Sequence, residues 1–145
     1  MRRFPAGVAV VGVELDAERL GLTVGTLTPL SLSPPLVGFA VRRQAALHEL
    51  LRRAGRFGIS LLAEGQEHVA QHFARGVPPI ALWEAVALRD EPGPPLLAGA
   101  FGWLAGTVAD EVAAGEDTFF VGAVEFLERG SGRPLVYVDR RYVTV

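Results

Sequence analysis

The sequence predicts a mainly β fold: a closed or partly closed antiparallel barrel carrying two short helices. Three observations lead there. Apolar runs of four to eight residues, bounded by Gly and Pro and rich in β-branched and aromatic side chains, dominate the chain, as buried strands do. Only two segments carry helical periodicity, too few for a doubly wound α/β arrangement. Short turns join several successive runs, and closing such a sheet removes the edges through which strands pair with other chains. With 145 residues, half of them hydrophobic and 21% charged, the chain suits a single domain over residues 1–145 with a sizeable core.

The elements follow in order. Val8 to Val13 is the first strand, and a turn at Asp16-Ala17-Glu18 leads to a second over Leu20 to Thr26. After Ser33-Pro34-Pro35, a third runs from Leu36 to Val41. Ala45 to Ala54 reads as a helix, with Leu47, Leu50 and Leu51 on one side, Glu49, Arg52 and Arg53 on the other, and Gly55 as a C-terminal stop. Phe57 to Leu62 is the next strand. A second helix over Gly65 to Phe73 sets Val69, Ala70 and Phe73 on one face. Gly76 to Ala98, with Pro78-Pro79 and Pro92-Gly93-Pro94-Pro95, is irregular around one short strand near Leu82 to Leu88. Leu104, Val108 and Val112 then alternate against Trp103, Thr107 and Glu111, and Phe120, Val124 and Phe126 repeat the pattern. A hairpin at Ala113-Ala114-Gly115-Glu116 joins these two runs. A turn over Glu128 to Arg133 leads into Leu135 to Val138 and completes a meander of six or seven strands in all.

The zeros in the composition exclude much chemistry. There is no Cys, no Lys and no Asn, and all 14 basic residues are Arg. Thiolate nucleophiles, Cys-ligated metal sites, Schiff-base lysines and the phosphate lysine of P-loops are therefore absent. A formal charge of −2 gives no drive toward nucleic acid. The apolar runs fall short of the about 20 residues of a membrane helix, and Arg2-Arg3 leads into Pro5 and Gly7 instead of a signal-peptide core. The expectation is a soluble, cytosolic protein with neither nucleic-acid nor membrane partners.

Side-chain constellations add little. There is no Gly-x-Ser-x-Gly, and Ser31, Ser33, Ser60 and Ser131 sit at no evident strand-to-helix elbow. His68 and His72 share a helical face at metal-binding spacing, but no third ligand is signalled. Glu116 and Asp117 in a hairpin turn read as solvated carboxylates before acid/base pairs, and Trp83 and Trp103 as core or interface residues. No metal is expected. One run stands out. From Gly21 to Val37, hydroxyls recur along an extended stretch, Gly21-Leu22-Thr23-Val24-Gly25-Thr26-Leu27-Thr28, which ends in the Pro34-Pro35 turn. Hydroxyls and backbone N–H groups can grip a phosphorylated cofactor without lysine. Two ordinary strands with threonines on the outer face explain the same run, and by residues alone that is the simpler reading.

This run is preceded by Phe4-Pro5-Ala6-Gly7-Val8 and followed by Gly55-Arg56-Phe57-Gly58-Ile59. Further along come Gln71-His72-Phe73-Ala74, Gly99-Ala100-Phe101-Gly102-Trp103-Leu104 and Gly115-Glu116-Asp117-Thr118-Phe119-Phe120. In this order and at these spacings the chain resembles the flavin-reductase-like family of FMN-binding split barrels along nearly its whole length. The resemblance implies an antiparallel, Greek-key-like split barrel that forms a homodimer. It also implies FMN, in some members FAD, at the subunit interface, with NADH or NADPH giving a hydride to the flavin and a monooxygenase as a further partner. It assigns Thr23, Gly25, Thr26 and Leu27 to the flavin. Arg42, Arg43, Gln44, Ala45, Ala46 and Leu47 fall to its phosphate, and Asp117 to the position where many members carry a His near flavin or nicotinamide.

The chain departs from the family pattern at that site. Gly25 and Thr26 stand where members commonly have two serines. Arg42-Arg43-Gln44-Ala45-Ala46-Leu47 replaces a run rich in Ser and Thr, leaving the helix N-terminus, Arg42 and Arg43 as phosphate anchors. The competing expectation is a dimer of the same fold that has lost flavin and serves as a non-catalytic binding or structural module. Nothing in the residues favours heme or a deazaflavin.

Overall fold

The computed structural model describes residues 1–75 and 81–145. Twelve elements occur along them: β1 Ala6–Gly7, β2 Ala9–Leu15, β3 Glu18–Val24, β4 Thr28–Leu32, β5 Pro35–Arg42, α1 Ala46–Ala54, β6 Arg56–Leu61, α2 Glu67–Ala74, β7 Gly102–Ala114, β8 Asp117–Arg129, β9 Leu135–Val138 and β10 Arg141–Thr144. Seven strands form one antiparallel sheet in the order β3-β2-β6-β7-β8-β5-β4. Among the described residues no helix is long and apolar enough to cross a membrane.

Chain connectivity forces this sheet to curl. Its two outermost strands, β3 and β4, are consecutive in sequence and joined by Gly25-Thr26-Leu27 alone. Laid flat, seven strands would hold their outer members about 29 Å apart, whereas the four Cα–Cα steps from Val24 to Thr28 reach about 14 Å at most. The sheet therefore rolls until its ends meet. Thr26 marks the seam: its Oγ1 accepts a hydrogen bond from the Ala40 backbone N–H at 2.9 Å, linking the connector to β5.

Inside the barrel, Phe39, Phe57 and Phe120 are fully buried. The Phe39 ring meets Phe57 edge-on at 5.3 Å and stacks on Phe120 at 5.9 Å, geometries that aromatic quadrupoles favour. The apolar stripe of α1, Leu47, Leu50 and Leu51, is buried in the same core. Gly55, at φ +69°, ends the helix by donating its N–H to the Leu51 carbonyl at 2.8 Å, the left-handed cap the sequence signals.

Three expectations need correction. No strand spans Leu82 to Leu88; the segment is a turn with a single bridge from Leu88 to Leu97. Leu82 enters the core and the Trp83 indole N–H reaches the Arg19 carbonyl at 2.9 Å, so its apolar spacing reflects anchoring of a turn. Leu135 to Val138 does not extend the meander. As β9 it pairs with β1 and β10 in a separate three-stranded sheet. The described residues hold ten strands in place of six or seven, because β1, β4 and β10 are too short or too exposed to produce a recognisable apolar run. Pro78-Pro79 lies outside the described residues.

Candidate functional site

Beside the barrel seam lies an open cleft of about 490 Å³, lined by Leu22, Thr23, Val24, Gly25, Thr26, Ala40, Arg42, Gln44, Ala45 and Asp117, within the size range of small-molecule sites. Three pieces of chain build it. The end of β3 and the connector form one wall, the end of β5 leading into α1 forms another, and the start of β8 brings Asp117 alongside Arg42, its partner in the β5–β8 register. Leu22, Val24, Ala40 and Ala45 give an apolar lining. At one end lies the start of α1, whose N-cap residue Ala45 makes no side-chain capping bond. That terminus presents N–H groups and the positive end of the helix dipole, a setting that favours an anion.

Of the residues assigned by resemblance, Thr23, Gly25, Thr26, Arg42, Gln44, Ala45 and Asp117 converge on this cleft. The others lie elsewhere. Leu27 faces a separate apolar cavity of about 160 Å³ with Val8, Leu61, Leu62 and Phe101, and Leu47 is a core residue at 3% exposure. Ala46 opens α1 without lining the cleft, and Arg43 is spoken for. Its guanidinium donates to the Asp117 carbonyl at 2.7 Å and to the Gly115 carbonyl, and its backbone N–H donates to the Glu116 carbonyl. The hydroxyls are also engaged: Thr23 Oγ1 donates to the Ala70 carbonyl at 2.7 Å, and Thr26 holds the seam. Gly25, Thr26 and Leu27 belong to neither the β2–β3 nor the β4–β5 ladder, so their backbone is what this wall offers a ligand.

Charge at the cleft mouth is balanced. Arg42 sits 3.6 Å from the Glu116 carboxylate and 3.7 Å from that of Asp117. The two carboxylates and the guanidiniums of Arg42 and Arg43 sum to zero. Sequence reasoning missed the pair beneath them. His48, on the buried face of α1, shares a 2.8 Å hydrogen bond with the Thr118 hydroxyl of β8. A polar residue on an otherwise leucine-rich stripe was the available signal. His72, weighed as a metal ligand, bonds through Nε2 to the Leu82 carbonyl at 2.6 Å, and His68 is exposed.

The family described as "Flavin reductase like domain" matches residues 1–145. The chain belongs to this flavin reductase family. It is 41% identical over 143 residues to the reductase component of 4-hydroxyphenylacetate 3-monooxygenase from Thermus thermophilus, covering 98% of this chain and 90% of the relative. Among solved structures, BorF, the flavin reductase component of a bacterial two-component tryptophan halogenase, superposes with a TM-score of 0.89 at 34% identity, covering 99% of this chain and 92% of BorF. The Streptomyces globisporus C-1027 NADH:FAD oxidoreductase SgcE6, in complex with NAD and FAD fragments, gives 0.89 at 34% identity, covering 97% and 85%. The fold is thus that of flavin reductase split barrels.

The residues of this flavin reductase family member fit a flavin. A planar, largely apolar ring system suits the Leu22, Val24 and Ala40 surface, and an anionic tail suits the uncapped helix end beside Arg42.

Proposed function

We infer that the protein is an NAD(P)H:flavin oxidoreductase that uses FMN or FAD in the cleft at the barrel seam and supplies reduced flavin to a partner oxygenase or halogenase. The observation that carries this reading is an apolar cleft that ends at an uncapped helix N-terminus, in a chain of the flavin reductase family. Flavin supplies the redox chemistry, accepting a hydride from the nicotinamide, and the protein supplies binding and orientation. The absence of Cys and Lys is therefore no handicap.

The chain's own residues divide the work. Backbone at Gly25 and Thr26 borders the ring, where the lack of a side chain at Gly25 allows close approach. Thr23 and Thr26 hold that backbone in place through Ala70 and Ala40. Arg42 and the first turn of α1 receive the phosphate. Leu22, Val24 and Ala40 exclude water from the ring face. A second copy of the chain completes the active unit, a reading supported by the exposed apolar side chains of Leu30 and Leu32 on the outermost strand β4 and of Val112 and Leu127 on β7 and β8. Sedimentation should accordingly give twice the chain mass. The alternative of a non-catalytic module has no support in the relatives, which are named as reductases.

Two measurements test the reading. Added FMN should raise the melting temperature, and NADH or NADPH should bleach the bound flavin under anaerobic conditions. A protein that binds FMN without bleaching is not a reductase, and one that binds no flavin overturns the assignment altogether. Arg42→Ala should weaken FMN about fivefold, about 1 kcal/mol for a solvent-exposed charge contact, and leave riboflavin affinity unchanged. Equal weakening of both flavins, read by fluorescence quenching, would remove Arg42 from the phosphate.

A further inference from the structure

We propose that Asp117 is a selectivity residue: by engaging Arg42 at the cleft mouth, its carboxylate limits how much the site gains from a flavin's phosphate. This rests on the flavin reading of the cleft. Arg42 and Asp117 both line it, they face each other across the β5–β8 register, and their charged groups lie 3.7 Å apart. A phosphate approaching Arg42 must compete with Asp117 on one side and with Glu116, at 3.6 Å, on the other. It also meets the repulsion of a carboxylate that shares the cavity.

The backbone that carries Asp117 is held in place. Its own carbonyl accepts the Arg43 guanidinium at 2.7 Å, and the next residue, Thr118, is tied to the buried His48 at 2.8 Å. Ala45 N–H donates to the Arg42 carbonyl at 3.0 Å, so the arginine backbone and the helix start are fastened to each other as well. The Asp117 backbone is thereby held beside Arg42, and its carboxylate stands 3.7 Å from the cleft's own cation. Asp117 is 36% exposed and Arg42 63%, so water screens the pair and the expected effect is moderate. Wild-type protein consequently discriminates weakly between FMN and riboflavin, which share the ring and differ in the phosphate.

The test is the ratio of riboflavin to FMN dissociation constants, read by flavin fluorescence for the whole protein at low and moderate salt. Asp117→Asn, near in shape and neutral, should raise the ratio about fivefold, mainly by tightening FMN, with the gain shrinking as salt screens the charges. Glu116→Gln, at a more exposed position, should shift it the same way by less. In the Arg42→Ala/Asp117→Asn double variant, the gain should shrink to what the loss of the carboxylate's direct repulsion leaves. A ratio in Asp117→Asn that is unchanged or lower overturns the proposal while leaving the flavin reading intact. Failure of the wild type to bind either flavin overturns both. Matching thermal melts of wild type and single variants exclude a folding artefact. A kcat that falls while the ratio stays constant would assign Asp117 to turnover instead and would also overturn the selectivity role.

Discussion

Gly106→Ala is expected to remove most of the folding stability. Gly106 lies on β7 at a register shift against β8, and a Cβ built there would stand 1.9 Å from the Ala123 carbonyl oxygen and 3.2 Å from the Val124 Cα. Those obstacles are backbone atoms of the neighbouring strand, so no rotamer change relieves the clash. The β7–β8 ladder, thirteen residues long on each side, would have to part. Overpacking commonly costs about 1–3 kcal/mol where side chains can yield; here they cannot, so about 3 kcal/mol or more is expected. That is a large share of the about 5–15 kcal/mol that holds a typical domain together. In a chain of this length the melting temperature should fall by about 12 °C or more. Gly7→Ala is the matched control, since a Cβ there meets nothing within 4 Å. A Gly106→Ala protein that melts within a degree or two of wild type would show that the strands are not this close.

Phe57→Ala should cost about 3–5 kcal/mol, the range for emptying a fully buried aromatic site. Phe57 has no exposed surface and packs edge-on to Phe39, so both burial and ring geometry are lost. Its neighbour makes the prediction sharper. A Cβ at Gly122 would approach the Phe57 ring to 2.4 Å, which means that β8 carries glycine there because the ring occupies the space. Gly122→Ala alone should therefore destabilise by overpacking, whereas in the double variant the methyl enters the vacated volume. Urea denaturation of the four proteins should give a double-variant loss well below the sum of the single losses. Strict additivity would contradict the packing.

Much of the barrel could be read from the chain because its inner strands carry their own signals. β2 and β6 carry buried apolar stretches, Ala9 to Val13 and Phe57 to Ile59, as strands covered on both faces do, and Gly55 announces the end of α1. The hairpin at Gly115-Glu116 falls where alternation on β7 gives way to alternation on β8. The failures have physical causes. β4 includes Pro29 and leaves Leu30 and Leu32 in solvent, so no burial pattern reveals it. Leu82 and Leu88 are apolar because a turn is pinned to the core, a tertiary effect that local spacing cannot distinguish from a strand.

At the site, the family pattern located Thr23, Gly25, Thr26, Arg42 and Asp117 along the chain, and the fold gathers them around one cleft. What each one does was less legible. The threonine hydroxyls hold backbone, Arg43 holds a hairpin, and Leu47 holds the core. Such roles depend on what a side chain meets across the barrel, and sequence spacing carries no record of that.

The three-residue connector between β3 and β4 is at once the seam of the barrel and a wall of the cleft. A molecule resting against Gly25 and Thr26 spans the two rims of the sheet, so its binding free energy opposes their separation and cleft occupancy and seam integrity are thermodynamically linked. The empty protein should breathe most readily along this line, where one hydroxyl stands in for a ladder of hydrogen bonds. On the proposed flavin reading, occupancy of the cleft should therefore restrain this line more than it restrains the buried Phe39, Phe57 and Phe120 core.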